Sequence, residues 1–204
     1  ARGESQIGLW LGLGPGLCTG ICAGAGFDWL LIDGEHAPNG VAEVLRHAQI
    51  IAGYPGVNAV ARVPKGEAYL VKQFLDTGVQ TILVPMVDTA EHAAEMVAAM
   101  RYPQADGLGG VRGMAPARAS RWGRRTAYVD EANAEVCLLV QAETREAIAN
   151  LDAIAHTPGV DGVFIGPADL SASMGHPGHA NHPEVQATIE GAIRRVRAAG
   201  QAAG

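Results

Sequence analysis

Lysine is nearly missing from this chain of 204 residues: only Lys65 and Lys72 occur. Lys72 falls in a helix-like segment and Lys65 in a loop beside Pro64. Schiff-base chemistry needs a lysine in a dry pocket, so covalent amine catalysis is disfavoured. Cysteine is scarce as well. Cys18, Cys22 and Cys137 form an odd set without paired ligand spacing. They read as small buried apolar residues of a reduced, cytoplasmic protein, and a zinc site at Cys18 and Cys22 lacks further ligands. No apolar run approaches the ~20 residues of a membrane span, and the first residues have neither the apolar core nor the cleavage site of a signal peptide. Positive charge is in deficit. A net charge of -6 argues against a nucleic-acid surface. The one basic cluster, "RASRWGRR" at 118–125, reads as a solvated or subunit-contact loop. A dinucleotide fingerprint is absent too: the glycines from Gly8 to Gly16 lack the G-x-G-x-x-G spacing and read as a tight turn.

What is present is a repeating pattern. With 48% hydrophobic residues the chain is globular and long enough for one domain, 1–204, with a sizeable core. Apolar runs at 7–11, 28–33, 58–63, 80–87, 135–143 and 161–166 read as buried strands. Helix-like segments follow each: to about Ala25, then 41–52, 67–78, 89–100, 145–156 and 183–200. Gly78 is a natural helix stop, and Asp88 a candidate N-cap. Six strand–helix units predict an α/β fold with a parallel sheet. A seventh strand can start after Gly200. A closed (β/α)8 barrel takes roughly 250 residues, so a barrel reading leaves its last units outside this chain. The segment 101–133 is a long excursion, of the kind that serves function or subunit contact.

In an α/β barrel the chemistry sits at the C-terminal ends of the strands. Those ends carry Asp33, Glu35 and His36, then Arg62, then Gln141 and Glu143, then Asp169 in "GPAD". His36 is the candidate base, since an imidazole titrates near working pH. A buried Arg62 wants an anion, either a protein carboxylate or a substrate oxyanion. Glu143 and Asp169 could each cap a helix or pair with an arginine. Together, beside Gln141, they suit a hard, oxygen-preferring cation such as Mg²⁺ or Mn²⁺. His47, His92 and His156 read as surface residues of helices. His176, His179 and His182 suggest a metal cluster, but their spacing is irregular and broken by prolines.

Several long stretches resemble one family. "GFDWLLIDGEHAPN" (26–39), "VKQFLDTGVQTILVPMVDTAEHA" (71–93), "CLLVQAET" (137–144) and "GVDGVFIGPADLSASMG" (159–175) look like the metal-dependent class II pyruvate aldolases, the HpcH/HpaI family. "RYP" at 101–103 and "ARASRW" at 117–122 belong to the same likeness, which spans nearly the whole chain. The resemblance implies a (β/α)8 barrel of the TIM type, with about six βα units present here and the closing units missing. It implies retro-aldol cleavage of a 4-hydroxy-2-oxo acid, such as 4-hydroxy-2-oxoheptanedioate, into pyruvate and an aldehyde, in aromatic-acid catabolism. It implies Mg²⁺, Mn²⁺ or Co²⁺ as cofactor and a hexamer, a trimer of dimers. By motif, His36 would be the base, with Asp33 orienting groups nearby. Arg62 would stabilise the enolate. Glu143 and Asp169 would hold the metal. Gln141, with the backbone of Gly166, Ala168 and Asp169, would hold the pyruvate end. Asp76 would raise the basicity of a histidine. It ends a helix on the face away from its own site, so the histidine would belong to a neighbouring subunit. The alternatives are a CoA-thioester lyase of the same superfamily and a non-enzymatic 2-oxo-acid-binding protein. Three departures stand out: a loop at 103–118 about two residues longer than the family pattern, "QAE" for the commoner "QVE" or "QIE", and no segment to shape the aldehyde pocket.

Overall fold

A computed structural model describes residues 4–103 and 109–204. Seven strands form one sheet in chain order, every neighbouring pair parallel. They are β1 (Gly8–Leu11), β2 (Trp29–Asp33), β3 (Asn58–Arg62), β4 (Thr81–Val84), β5 (Cys137–Ala142), β6 (Gly162–Ile165) and β7 (Ala202–Ala203). Between them run α1 (Gly16–Ala23), α2 (Val41–Ile51), α3 (Ala68–Asp76), α4 (Ala90–Met100), α5 (Tyr128–Glu135), α6 (Arg145–Ala149), α7 (Leu151–Ala155), α8 (Pro167–Ser173) and α9 (Pro183–Ala198). Unbroken 1-to-7 order is the winding of an α/β barrel. A doubly wound sheet would reverse its order at a switch point. The strand after Gly200 exists, and Gly200 makes the turn before it at φ 82°. The result is a curled, partial TIM-type barrel.

Period-2 alternation divides the core into two layers. Leu30 and Ile32, Ala61, Ile82 and Val84, Leu138 and Val140, and Val163 and Ile165 face the helices in one large cluster. The alternate residues Leu31, Val60 and Leu83 pack with Trp10, Leu139 and Phe164 inside the curl. The same alternation carries Asp33, Arg62 and Gln141 onto that inner face, one step beyond its apolar floor. Truncating a fully buried Leu30 to alanine would cost about 2–5 kcal/mol.

Four expectations change. The excursion 101–133 contains α5 and a short 3-10 turn at Arg118–Ser120, so the fifth strand starts at Cys137 and not at residue 135. The helix expected at 145–156 is two, broken at Asn150, whose side chain donates to the Asp88 carbonyl at 2.8 Å. Thr89, not Asp88, caps α4, accepting from the His92 N–H. The three cysteines are free and only half-buried. The longer loop at 103–118 lies in part at 104–108, outside the described residues.

Candidate active site

The register of β2 and β3 sets Asp33 directly against Arg62. Arg62 donates from Nε to Asp33 Oδ1 and from Nη2 to Asp33 Oδ2, both at 2.9 Å. Such a fork is the strong form of a charge-assisted pair, and removing one partner of a buried pair costs about 3–5 kcal/mol. The guanidinium also lies 4.5 Å from the Trp10 ring centre, and its Nη1 donates to Gln141 Oε1 at 3.2 Å. The backbone N–H groups of Glu35 and His36 donate to Asp33 Oδ1 at 3.0 and 3.3 Å. One carboxylate therefore orients the arginine and folds the turn that carries His36. Gly34 is required there, because a Cβ would sit 2.6 Å from the Arg62 carbonyl oxygen. Burial pushes the Asp33 carboxyl upward in pKa, but Arg62 and the two N–H groups outweigh it and hold it below its ordinary value.

Glu35, which the sequence reading leaves without a role, lies in the site. Its Oε2 is 2.8 Å from Arg62 Nη1, yet that buried oxygen accepts no hydrogen bond. The contact is an ion pair off the N–H axis. Burial raises the Glu35 pKa, against the pull of Arg62 and His36. Its Oε1 is 3.8 Å from His36 Nε2, and the imidazole is 64% exposed, open to a substrate.

Gln141 donates to Glu143 Oε2 at 2.6 Å. Glu143 is buried, and its Oε1 accepts the Met86 N–H at 2.8 Å. Met86 has φ 54°, a strained conformation for a side-chain-bearing residue, of the kind that gathers at functional sites. Gly166 closes over the same carboxylate: a Cβ there would meet Glu143 Oε2 at 2.1 Å. Asp169 is exposed in the first turn of α8, with Ala168 before it. Burial raises the Glu143 pKa. The Met86 N–H eases this, and the charges of Asp169 and Glu35 add to it. The charges of Asp169 and Glu35 thus both reach Glu143, and one Glu35 oxygen is short of a donor. This all-oxygen set fits a divalent cation of the Mg²⁺, Mn²⁺ or Co²⁺ kind, which Glu143 and Asp169 would hold.

Asp76 is not part of this cluster. It ends α3, and its Oδ1 accepts from Arg112 Nη2 at 3.1 Å. Arg112 is wholly buried against the Tyr102 ring. His47 is also corrected. It is fully buried, bonded at Nδ1 to Thr19 Oγ1 (2.6 Å) and at Nε2 to Asn39 Oδ1 (3.3 Å). Asn39 in turn donates to the carbonyls of Leu11 and Asp33, tying the ends of β1 and β2 together. Met86, Glu35 and the Asn39–His47 relay are the parts that motif reading misses. A positive φ on methionine leaves no sequence signal. A histidine among the polar residues of α2 looks like a surface residue.

A partial parallel barrel with acids, an arginine and a histidine at its C-terminal strand ends has the form of an α/β-barrel enzyme site. The HpcH/HpaI aldolase/citrate lyase family model matches residues 6–204, and the chain belongs to that family. It is 59% identical over 202 residues to a hydroxypyruvate/pyruvate aldolase of Pseudomonas aeruginosa, covering 99% of this chain and 74% of that protein. It is 57% identical over 202 residues to a 4-hydroxy-2-oxo-heptane-1,7-dioate aldolase of Salmonella dublin, covering 99% and 76%. A crystal structure of an HpcH/HpaI aldolase/citrate lyase family protein from Burkholderia cenocepacia superposes with TM-score 0.96 at 40% identity, covering 100% of this chain and 80% of that one. The expected family and barrel fold are borne out.

Proposed function

We propose that the chain catalyses reversible, metal-dependent cleavage of a 4-hydroxy-2-oxo acid to pyruvate and an aldehyde, with 4-hydroxy-2-oxoheptanedioate as one substrate. It is a carbon–carbon lyase. The observation that carries this reading is the buried Glu143 carboxylate, under the charges of Asp169 and Glu35 and joined through Gln141 to the locked guanidinium of Arg62. The names of the two relatives from Pseudomonas aeruginosa and Salmonella dublin, a hydroxypyruvate/pyruvate aldolase and a 4-hydroxy-2-oxo-heptane-1,7-dioate aldolase, agree with it.

His36 removes the C4 hydroxyl proton of the substrate, directly or through one water. The C3–C4 bond breaks, the aldehyde departs, and the electron pair leaves negative charge on the C2 oxygen of a pyruvate enolate. A divalent cation, when bound, supplies Lewis-acid stabilisation for that charge. Arg62 adds a positive charge already oriented by Asp33 and Trp10, so little reorganisation is needed as the charge develops. Gln141 and the backbone at Gly166, Ala168 and Asp169 hold the pyruvate end. Protonation at C3 then yields pyruvate.

Asp76 lies at the foot of the barrel by the chain's winding, so it serves a histidine only across a subunit boundary. We place the chain in a homo-oligomer, a hexamer built as a trimer of dimers. The exposed apolar side chains of Leu17, Ile21, Met114 and Trp122 support subunit contacts. Three unpaired cysteines suit a cytoplasmic setting, and no described helix is long and apolar enough to cross a membrane. The CoA-thioester alternative calls for basic side chains at the mouth. The arginine-lined cleft of about 800 Å³ instead borders Gln80 and Val136, which precede β4 and β5, at the opposite end. A coupled assay for pyruvate release, with and without chelator, tests the proposal. Full activity after exhaustive metal removal would sink it.

A further inference from the structure

Between α8 and α9 the chain brings together what its spacing leaves apart. The rings of His176 and His182 stack, with centroids 3.6 Å apart and planes inclined by 16°. His176 Nε2 lies 3.1 Å from Glu184 Oε2. One ligand atom from each of His176, His182 and Glu184 falls within 4.8 Å of the others. Beside them is a cleft of about 380 Å³ lined by Gly178, His179, Ala180, Asn181 and His182.

We propose that this cluster is a second metal site, for a transition-metal ion of the Zn²⁺, Ni²⁺ or Cu²⁺ class, separate from the carboxylate centre. Two imidazoles and one carboxylate are the donor set such ions prefer, whereas a hard cation takes oxygen alone. Each imidazole offers one nitrogen lone pair to a ligand when the other nitrogen carries the proton. The Glu184 carboxylate beside His176 Nε2 draws a cation toward that nitrogen. Metal–ligand bonds of about 2.0–2.1 Å set tetrahedral ligands roughly 3.4 Å apart. The cluster contracts to that spacing by rotating Glu184, whose side chain is 54% exposed, and by splaying the rings so that their lone pairs converge. The cleft admits water as a further ligand. Asp169 stands in the first turn of α8 and His176 follows its last, so the two sites share no residue.

His182 also caps α9, its Nδ1 accepting the Glu184 N–H at 3.3 Å. Coordination through His182 Nε2 moves the ring proton to Nδ1 and ends that bond. Amide exchange at Glu184 therefore reports binding directly.

The test is calorimetric titration of Zn²⁺ and Ni²⁺ into the chain in excess Mg²⁺, and into an E143Q/D169N variant without the carboxylate centre. One equivalent is expected in both. His176→Tyr and Glu184→Gln, which leave His182 and the backbone cap donor in place, weaken it by roughly tenfold or more. Bound Cu²⁺ should show two-nitrogen splitting in its electron paramagnetic resonance spectrum, and one nitrogen in His176→Tyr. Absence of any equivalent in the E143Q/D169N variant overturns the proposal. So does an affinity that His176→Tyr leaves unchanged, because the ion then sits on a cysteine or an isolated histidine.

Discussion

Replacing Gly166 by alanine displaces the Glu143 carboxylate. Gly166 has φ -83° and ψ 100°, a conformation alanine adopts freely, so the backbone pays no penalty. The effect is steric. The new methyl would stand 2.1 Å from Glu143 Oε2 and 2.8 Å from its Cβ. Ordinary carbon–oxygen contact is near 3.3 Å, so the carboxylate must retreat by about 1 Å. Overpacking of this kind costs about 1–3 kcal/mol, which lowers the melting temperature by roughly 2–12 °C for a domain of this size and leaves it folded. Catalysis should suffer far more, since a misplacement of about 1 Å costs on the order of 100-fold. Steady-state pyruvate release should fall by that factor. Titration with Mn²⁺, followed by its paramagnetic resonance, should show weaker binding. A Gly166→Ala protein that melts lower yet keeps wild-type Mn²⁺ affinity and turnover would refute the placement of Glu143 as a metal ligand.

Other expectations follow from the same geometry. Arg62→Lys loses the two-pronged contact with Asp33 and should lower kcat by two orders of magnitude or more, with the loss read in single-turnover pyruvate formation. His36→Ala should abolish cleavage while leaving Mn²⁺ binding intact, and loss of both would remove His36 from the role of base. His47 has its pKa lowered by burial, with Arg46 adding to it. The unfolded chain therefore takes up a proton near pH 6.5 that the folded one refuses, and stability falls as pH drops below that value. His47→Gln should flatten the slope of urea midpoint against pH. Glu143 and Glu35 have raised pKa values. Their ionisation destabilises the fold as pH climbs from about 4.5 through their folded values. Mg²⁺ should therefore raise the melting temperature at neutral pH and not below pH 4.

Much of this molecule is legible in the sequence because its chemistry sits on strands. Strand alternation alone puts Asp33, Arg62 and Gln141 on one face, and barrel winding puts that face at one end. What stays hidden depends on geometry between distant segments. Glu35 is one residue from His36, but its ion pair with Arg62 depends on how tightly the turn folds around Asp33. α5 escapes notice because its eight residues carry little apolar periodicity and bury only Ala132. His47 is misjudged for a related reason: it stands on a helix with Glu43 and Arg46, and only Thr19 and Asn39, far off in sequence, explain its burial.

Charge explains why Glu35 is in the site at all. Asp33 and Arg62 neutralise each other through two direct hydrogen bonds. Glu35, Glu143 and Asp169 then remain as an uncompensated acidic group, into which a substrate must bring a carboxylate of its own. A divalent cation offsets two of those charges and leaves one. Burial already inclines Glu35 toward its protonated form, and protonation would remove the last. A neutral Glu35 would also free Arg62 Nη1, now shared with Gln141, to face the developing enolate. Glu35→Gln mimics that state. It should tighten pyruvate binding and leave kcat within a few-fold, whereas a large loss in kcat would mean that the charge on Glu35, and not its proton, is needed for turnover.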